Sequence, residues 1–115
     1  MTCPNSGESE TNHLAENLAV VDPYVQKHVA RTNGRLYRRQ RALPRYPIPK
    51  WRFQPSPKAA FVSLDIGCGW GRWLVSAADA GYLPVGIHIQ TDRLRAARRV
   101  LAQHQIRGYL VAADL

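Results

Sequence analysis

Residues 61–74 read Phe61-Val62-Ser63-Leu64-Asp65-Ile66-Gly67-Cys68-Gly69-Trp70-Gly71-Arg72-Trp73-Leu74. A short apolar run ends in an acid, three alternating glycines follow, and a helical pattern resumes behind them. The order is strand, tight loop, helix. A glycine can take positive φ and let backbone come close to a ligand or a neighbouring element. The helix behind the loop offers unpaired N–H groups and a partial positive charge to a polar or anionic molecule. The stretch is suited to holding a small polar ligand.

Toward the C-terminus the same alternation continues. The helix after the loop should run to Gly81, with Trp73, Leu74, Ala77 and Ala78 on its apolar stripe. A second strand is expected over Pro84–Ile89. Thr91 and Asp92 can start the next helix, whose apolar stripe is Leu94, Ala97, Val100 and Leu101 and whose Arg93, Arg95, Arg98 and Arg99 stay toward water. A third strand is expected over Gly108–Ala113. This β-α-β-α-β order, with near-continuous apolar strands, implies an α/β protein whose parallel sheet is covered on both faces.

Toward the N-terminus the pattern weakens. From Met1 to about Asn17 the composition is polar and without period, which implies a mobile tail. Asp22-Pro23 is a good helix start, because the carboxylate can cap free N–H groups and proline needs no donor at the first helical position. That helix should run to about Thr32 and stop at Asn33-Gly34. A further helical stretch, Arg35–Leu43, ends before Pro44. Pro44, Pro47, Pro49, Pro55 and Pro57 then make an extended arm in which Trp51 and Phe53 seek something to bury. The implied organisation is a tail over 1–20, a basic helical and proline-rich extension over 21–57, and the α/β unit over 58–115.

The chain has 115 residues, room for about one domain. No apolar run approaches the roughly 20 residues that span a bilayer, and Met1–Glu10 lacks the layout of a signal peptide. The expectation is a soluble, cytoplasmic protein without membrane contact. Cys3 and Cys68 have no metal-ligand or redox spacing, so reduced thiols and no metal site are expected. Cys68 is read as a small loop residue whose backbone matters, not as a nucleophile.

The formal net charge of +8 is unevenly spread. Residues 27–58 carry ten Lys or Arg and no acid, while residues 1–26 carry four acids and no Lys or Arg. In the basic segment Arg31, Arg35, Arg38, Arg39, Arg41, Arg45, Lys50 and Arg52 alternate with Tyr37, Tyr46, Trp51 and Phe53. Such a mixture can grip phosphates and stack bases, which makes nucleic acid a candidate partner. The competing reading is a solvated helix and an arm that covers a ligand pocket with its aromatics packed on the sheet. It is favoured because the aromatics lie in the proline arm, not along the most basic helix.

The glycine spacing separates two ligand classes. Dinucleotide-binding dehydrogenases use G-x-G-x-x-G, which would place the third glycine where this chain has Arg72. Here Asp65 is followed by Gly67, Gly69 and Gly71, and this D-x-G-x-G-x-G pattern resembles motif I of the class I S-adenosylmethionine-dependent methyltransferases. The resemblance covers about Lys58–Leu115 and says little about residues 1–57. It implies a Rossmann-like β-α-β-α-β half of a doubly wound parallel sheet, with S-adenosylmethionine as cofactor. It places Asp65 and the backbone of Gly67, Cys68, Gly69 and Gly71 toward the methionine end, His88 at the ribose, and Ile89, Ala113 and Asp114 around the adenine. His88 departs from the family, which has an acid there: a carboxylate accepts from both ribose hydroxyls, a neutral imidazole offers one acceptor nitrogen.

Three local alternatives stay open: the loop as a ligand-free turn, His88 satisfied by backbone, and Asp114 as a helix cap. The family continues with a fourth strand beside the first and with substrate-bearing loops, so the resemblance implies the cofactor-binding half of a methyltransferase. Such a half is not expected to turn over alone. It leaves the methyl acceptor unidentified, supplies no catalytic residue, and exposes the edge of strand one to pairing with another chain. The runner-up is a non-catalytic remnant that binds nucleic acid through residues 27–58. A nicotinamide-dependent oxidoreductase is disfavoured by Arg72 and His88.

Overall fold

A computed structural model describes residues 18–32, 44–55, 57 and 61–114. The expected tail over 1–17 and the helix over Arg35–Leu43 lie outside the described residues. So do Arg38, Arg39, Arg41 and Tyr37.

The first element, α1, is the helix Pro23–Ala30. Its start is the one that the sequence dictates: the Asp22 carboxylate accepts from the Tyr24 amide at 2.7 Å and proline occupies the first turn. There follow β1 (Val62–Ile66), α2 (Arg72–Asp79), β2 (Leu83–His88), α3 (Thr91–Gln103) and β3 (Tyr109–Ala112). The α/β reading thus holds, with three helices and a three-stranded parallel sheet in the order β1-β2-β3. Such a unit is compatible with a Rossmann-like half.

Among the described residues the sheet is covered on one face only. Moving from β1 to β2 to β3 takes the same sideways step twice, and two right-handed crossovers in one direction put both helices on one side. Pro84 and Gly86 are buried on that side. On the other, Val62, Leu64 and Ile66 are more than half exposed, and Tyr109 and Val111 nearly so. The expectation of cover on both faces is therefore met on one among the described residues. In the same way, β1 pairs with β2 along one edge and has no second neighbour among the described strands.

The core lies between the sheet and the helices. Leu94, Ala97, Val100 and Leu101 of α3 are buried as expected, joined by Ala96. α2 departs from its expected stripe: Leu74, Val75, Ser76 and Ala77 are buried in succession, whereas Trp73 and Ala78 are half-buried. A helix of eight residues that touches β1, β2 and α3 at once is covered over more than one stripe.

The N-terminal segment is clasped to α3 by polar contacts. The Tyr46 side chain is fully buried; its hydroxyl accepts from the Asp22 amide at 2.9 Å and donates to Gln103 Oε1. Gln103 Nε2 donates to the Val20 carbonyl at 2.9 Å, and the Ala19 amide donates to His104 Nε2 at 3.2 Å. Arg99 pairs with Asp22 at 3.1 Å. No helix among the described residues is long and apolar enough to cross a membrane.

Candidate functional site

The strand register decides which residues can meet. Ile66 stands opposite Ile87, and His88 stands opposite Ala112. The loop after β1, the end of β2 and the residues after β3 therefore share the C-terminal edge of the sheet. That edge is where open α/β sheets bind ligands. All nine residues singled out in the sequence, Asp65, Gly67, Cys68, Gly69, Gly71, His88, Ile89, Ala113 and Asp114, belong to it.

The glycine loop is held from below and open above. Gly67 and Cys68 both donate their amides to the Ile87 carbonyl, at 2.8 and 3.1 Å, which pins the loop to β2. Gly67 and Gly69 have φ of +79° and +55°, and a Cβ added at either would meet nothing within 4 Å. Their glycine character thus answers to backbone conformation and leaves space above the turn, not to packing. Trp70 turns the other way: it is buried, stacks on Tyr46, and donates from Nε1 to Thr32 Oγ1 at 2.8 Å. The sequence pattern gave Trp70 no role; a large aromatic between two loop glycines was the signal that could have found it.

Asp65 is half-buried and lies beside Gly86 of β2. Burial raises its carboxyl above the ordinary value, and the Arg72 guanidinium opposes this in part. A partly buried carboxylate next to the glycine loop is a candidate for ligand contact. Burial, reinforced by the charge of Asp65, pushes the Cys68 thiol up to about 12, which disfavours the thiolate. Its sulfur fills the space over Gly86, where an added Cβ would lie 2.8 Å from Cys68 Sγ and 2.9 Å from Leu74 Cδ1.

His88 has its acceptor nitrogen in use. The Gln90 amide donates to Nδ1 at 3.0 Å, so the neutral ring carries its proton on Nε2. Burial and then Arg93 hold its pKa below the ordinary value, with Asp92 opposing. What His88 can present to a ligand is therefore a donor, not the acceptor assumed from residue type. Beside it, Ile89 is 62% exposed, an apolar surface at the strand end. The Ala113 amide donates to the His88 carbonyl at 3.2 Å, which brings Ala113 and the exposed Asp114 to the same edge.

Comparison with protein-family models, with curated proteins and with solved structures found no match. The functional reading rests on the residues themselves.

Two other regions are set apart from this edge. A cleft of about 320 Å³ between α3 and β3 is lined by Arg98, Leu101, Ile106 and Leu110 among others, and none of its lining residues belongs to the site. Of the basic segment, Arg31, Arg45, Lys50 and Arg52 are described and exposed. Tyr46 is buried, and Trp51 packs against Phe53, Trp73 and Tyr82. The Gln54 carbonyl accepts from both Trp51 Nε1 and the Tyr82 hydroxyl. Trp51 therefore meets α2 and the residue before β2, not the sheet. Phe53 stays 69% exposed. Among the described residues no group of His, Cys, Asp and Glu could hold a metal ion.

Proposed function

We propose that this chain binds S-adenosylmethionine as part of methyl transfer to an acceptor that its residues do not identify. The observation that carries the reading is the open turn over Gly67 and Gly69, on the same strand-end edge as the half-buried Asp65 carboxylate, the His88 donor and the exposed Ile89. A ligand with an amino-acid end, a ribose and an adenine finds in that order a carboxylate, a hydrogen-bond donor and an apolar surface. Asp65 and the loop backbone hold the methionine end, His88 Nε2–H donates to a ribose oxygen, and Ile89, Ala113 and Asp114 bound the adenine. Bound there, the cofactor supplies an electrophilic methyl group; the chain's part is to position it for in-line attack. The finer reading of the sheet as half of a doubly wound one is supported by its parallel strand order β1-β2-β3, and that of 21–57 as an extension by the clasp on α3.

The test is calorimetric titration of the 115-residue chain with S-adenosylmethionine. The wild type is expected to bind saturably. Asp65→Asn should weaken binding by at least about tenfold, the effect of a charged hydrogen bond lost, while raising thermal stability, because it removes a buried charge that folding disfavours. His88→Asp restores an acceptor pair and should bind roughly tenfold tighter. A folded wild type that gives no heat overturns the proposal.

A further inference from the structure

The glycine loop is tied down at its two ends and loose in the middle. Its first amides, Gly67 and Cys68, donate to the Ile87 carbonyl, and Gly71 donates to the Cys68 carbonyl at 3.0 Å as the chain enters α2. Between them, the amides of Gly69 and Trp70 find no backbone acceptor among the described residues. Gly69 and Gly71 flank Trp70 with φ of +55° and +94°, and glycine passes between conformations more freely than any other residue. Backbone bonds alone leave the tip of this turn free to change shape.

What holds the tip is the Trp70 side chain, which is 3% exposed. Its hydrogen bond and its ring stack both go to the N-terminal segment: Nε1 donates to Thr32 Oγ1 at 2.8 Å, and the indole stacks on Tyr46 with centroids 5.7 Å apart and planes 25° from parallel. Both partners are fixed in turn. Thr32 donates its hydroxyl proton to the His28 carbonyl of α1 at 3.2 Å, which leaves an oxygen lone pair for the indole. The Tyr46 hydroxyl lies between the Asp22 amide and Gln103 of α3. A side chain that only filled space would have no use for a polar tip reaching 38 positions back along the chain.

We propose that Trp70 is a positioning residue through which the N-terminal segment sets the shape of the glycine loop. Thr32 and Tyr46 hold the indole, and the indole holds the turn. The turn then meets its ligand already ordered, so binding does not have to supply that order. The inference rests on the reading of this loop as the seat of the cofactor. Such coupling is reciprocal: what the segment does for the ligand's affinity, the ligand does for the segment's hold on the loop.

Amide hydrogen exchange and calorimetry on the full chain test this together. S-adenosylmethionine is expected to slow exchange in the loop and also at the Thr32 and Tyr46 amides, which donate to the Val29 and Ala19 carbonyls. Thr32→Val keeps the side chain's shape and removes the acceptor. It should speed exchange at Gly67, Cys68 and Gly71 and weaken cofactor binding about fivefold, the worth of one neutral hydrogen bond. Thr32→Ser retains the hydroxyl and should restore both. Ile106→Val, in the stretch leading into β3 at the opposite end of the sheet, removes a comparable amount of stability and should move neither readout. The proposal is overturned if Thr32→Val leaves loop exchange as in the wild type, or if Ile106→Val changes it as much. A loop that loosens while cofactor affinity stays at its wild-type value overturns it too. A wild type that does not bind the cofactor, with a loop that still loosens in Thr32→Val, overturns the cofactor reading and leaves the coupling standing.

Discussion

On the helical side of the sheet a Cβ added at Gly86 would lie 2.8 Å from Cys68 Sγ; on the opposite side, in the adjacent strand, Ile66 is 64% exposed. The two faces differ in residue type: by the register the helical side carries Ser63, Asp65, Pro84 and Gly86, and the other side Val62, Leu64, Ile66, Val85 and Ile87. Where α2 and α3 cover the sheet, small residues and close contacts leave no slack, so each side chain depends on its neighbours. On the other face the larger side chains stay about half exposed among the described residues. Small residues under the helices allow close packing, and the larger apolar ones lie where no described helix covers them.

The largest expected effect breaks the helix-covered face. Gly86→Val forces a branched side chain against Cys68 and Leu74 and should cost about 3 kcal/mol in urea unfolding. Retention of the wild-type midpoint would show that this face yields.

Acid gives a smaller effect confined to the same side. Burial lowers the pKa of His28 and of His104, both of which sit among the helices, and the strand positions of the bare face carry no histidine. A histidine with a folded pKa below its unfolded one binds fewer protons when folded. Its contribution is therefore complete above about pH 6.5 and is lost as the pH falls through the lowered value. For His104 the loss has a structural cause, since protonation of Nε2 removes the acceptor of the Ala19 amide. Unfolding midpoints should drop between neutral and mildly acidic pH, and His104→Gln should flatten the drop.

The smallest effect belongs to the bare face. Leu64→Ser should change stability in urea unfolding by no more than about 0.5 kcal/mol. A larger loss would mean that this face is already packed within one chain.

Much of this contrast was legible in the sequence, but not its one-sidedness. The alternation of strand and helix followed from the glycine loop and the apolar stripe of α3, and element ends differed by a residue or two, as with β2 at Leu83–His88 against the expected Pro84–Ile89. The cap at Asp22-Pro23 was readable because capping is local. Cover on both faces was expected from the apolar strands and is not met among the described residues: β1 alternates, with Val62, Leu64 and Ile66 exposed and Ser63 and Asp65 partly buried on the helical side. For the site, the register brought all nine residues to one edge, since the spacing of Asp65, the glycines, His88 and Asp114 is set by elements that the pattern identifies. The chemistry of His88 depended on a hydrogen bond from Gln90, two residues on, that residue type does not reveal. Tyr46 was read as an aromatic either stacking bases or, by the favoured reading, packed on the sheet; only the fold shows that Gln103 of α3 and Trp70 enclose it.

The clasp between the N-terminal segment and α3 also bears on the order in which the molecule assembles. Ala19 and His104 are 85 residues apart, Val20 and Gln103 are 83 apart, and Asp22 and Arg99 are 77 apart. Closing loops of that length costs chain entropy that a few polar contacts repay only once their partner is rigid. Such contacts are expected to form after the β-α-β-α unit. During synthesis, residues 19–22 cannot close the clasp until residues 99–104 have been made.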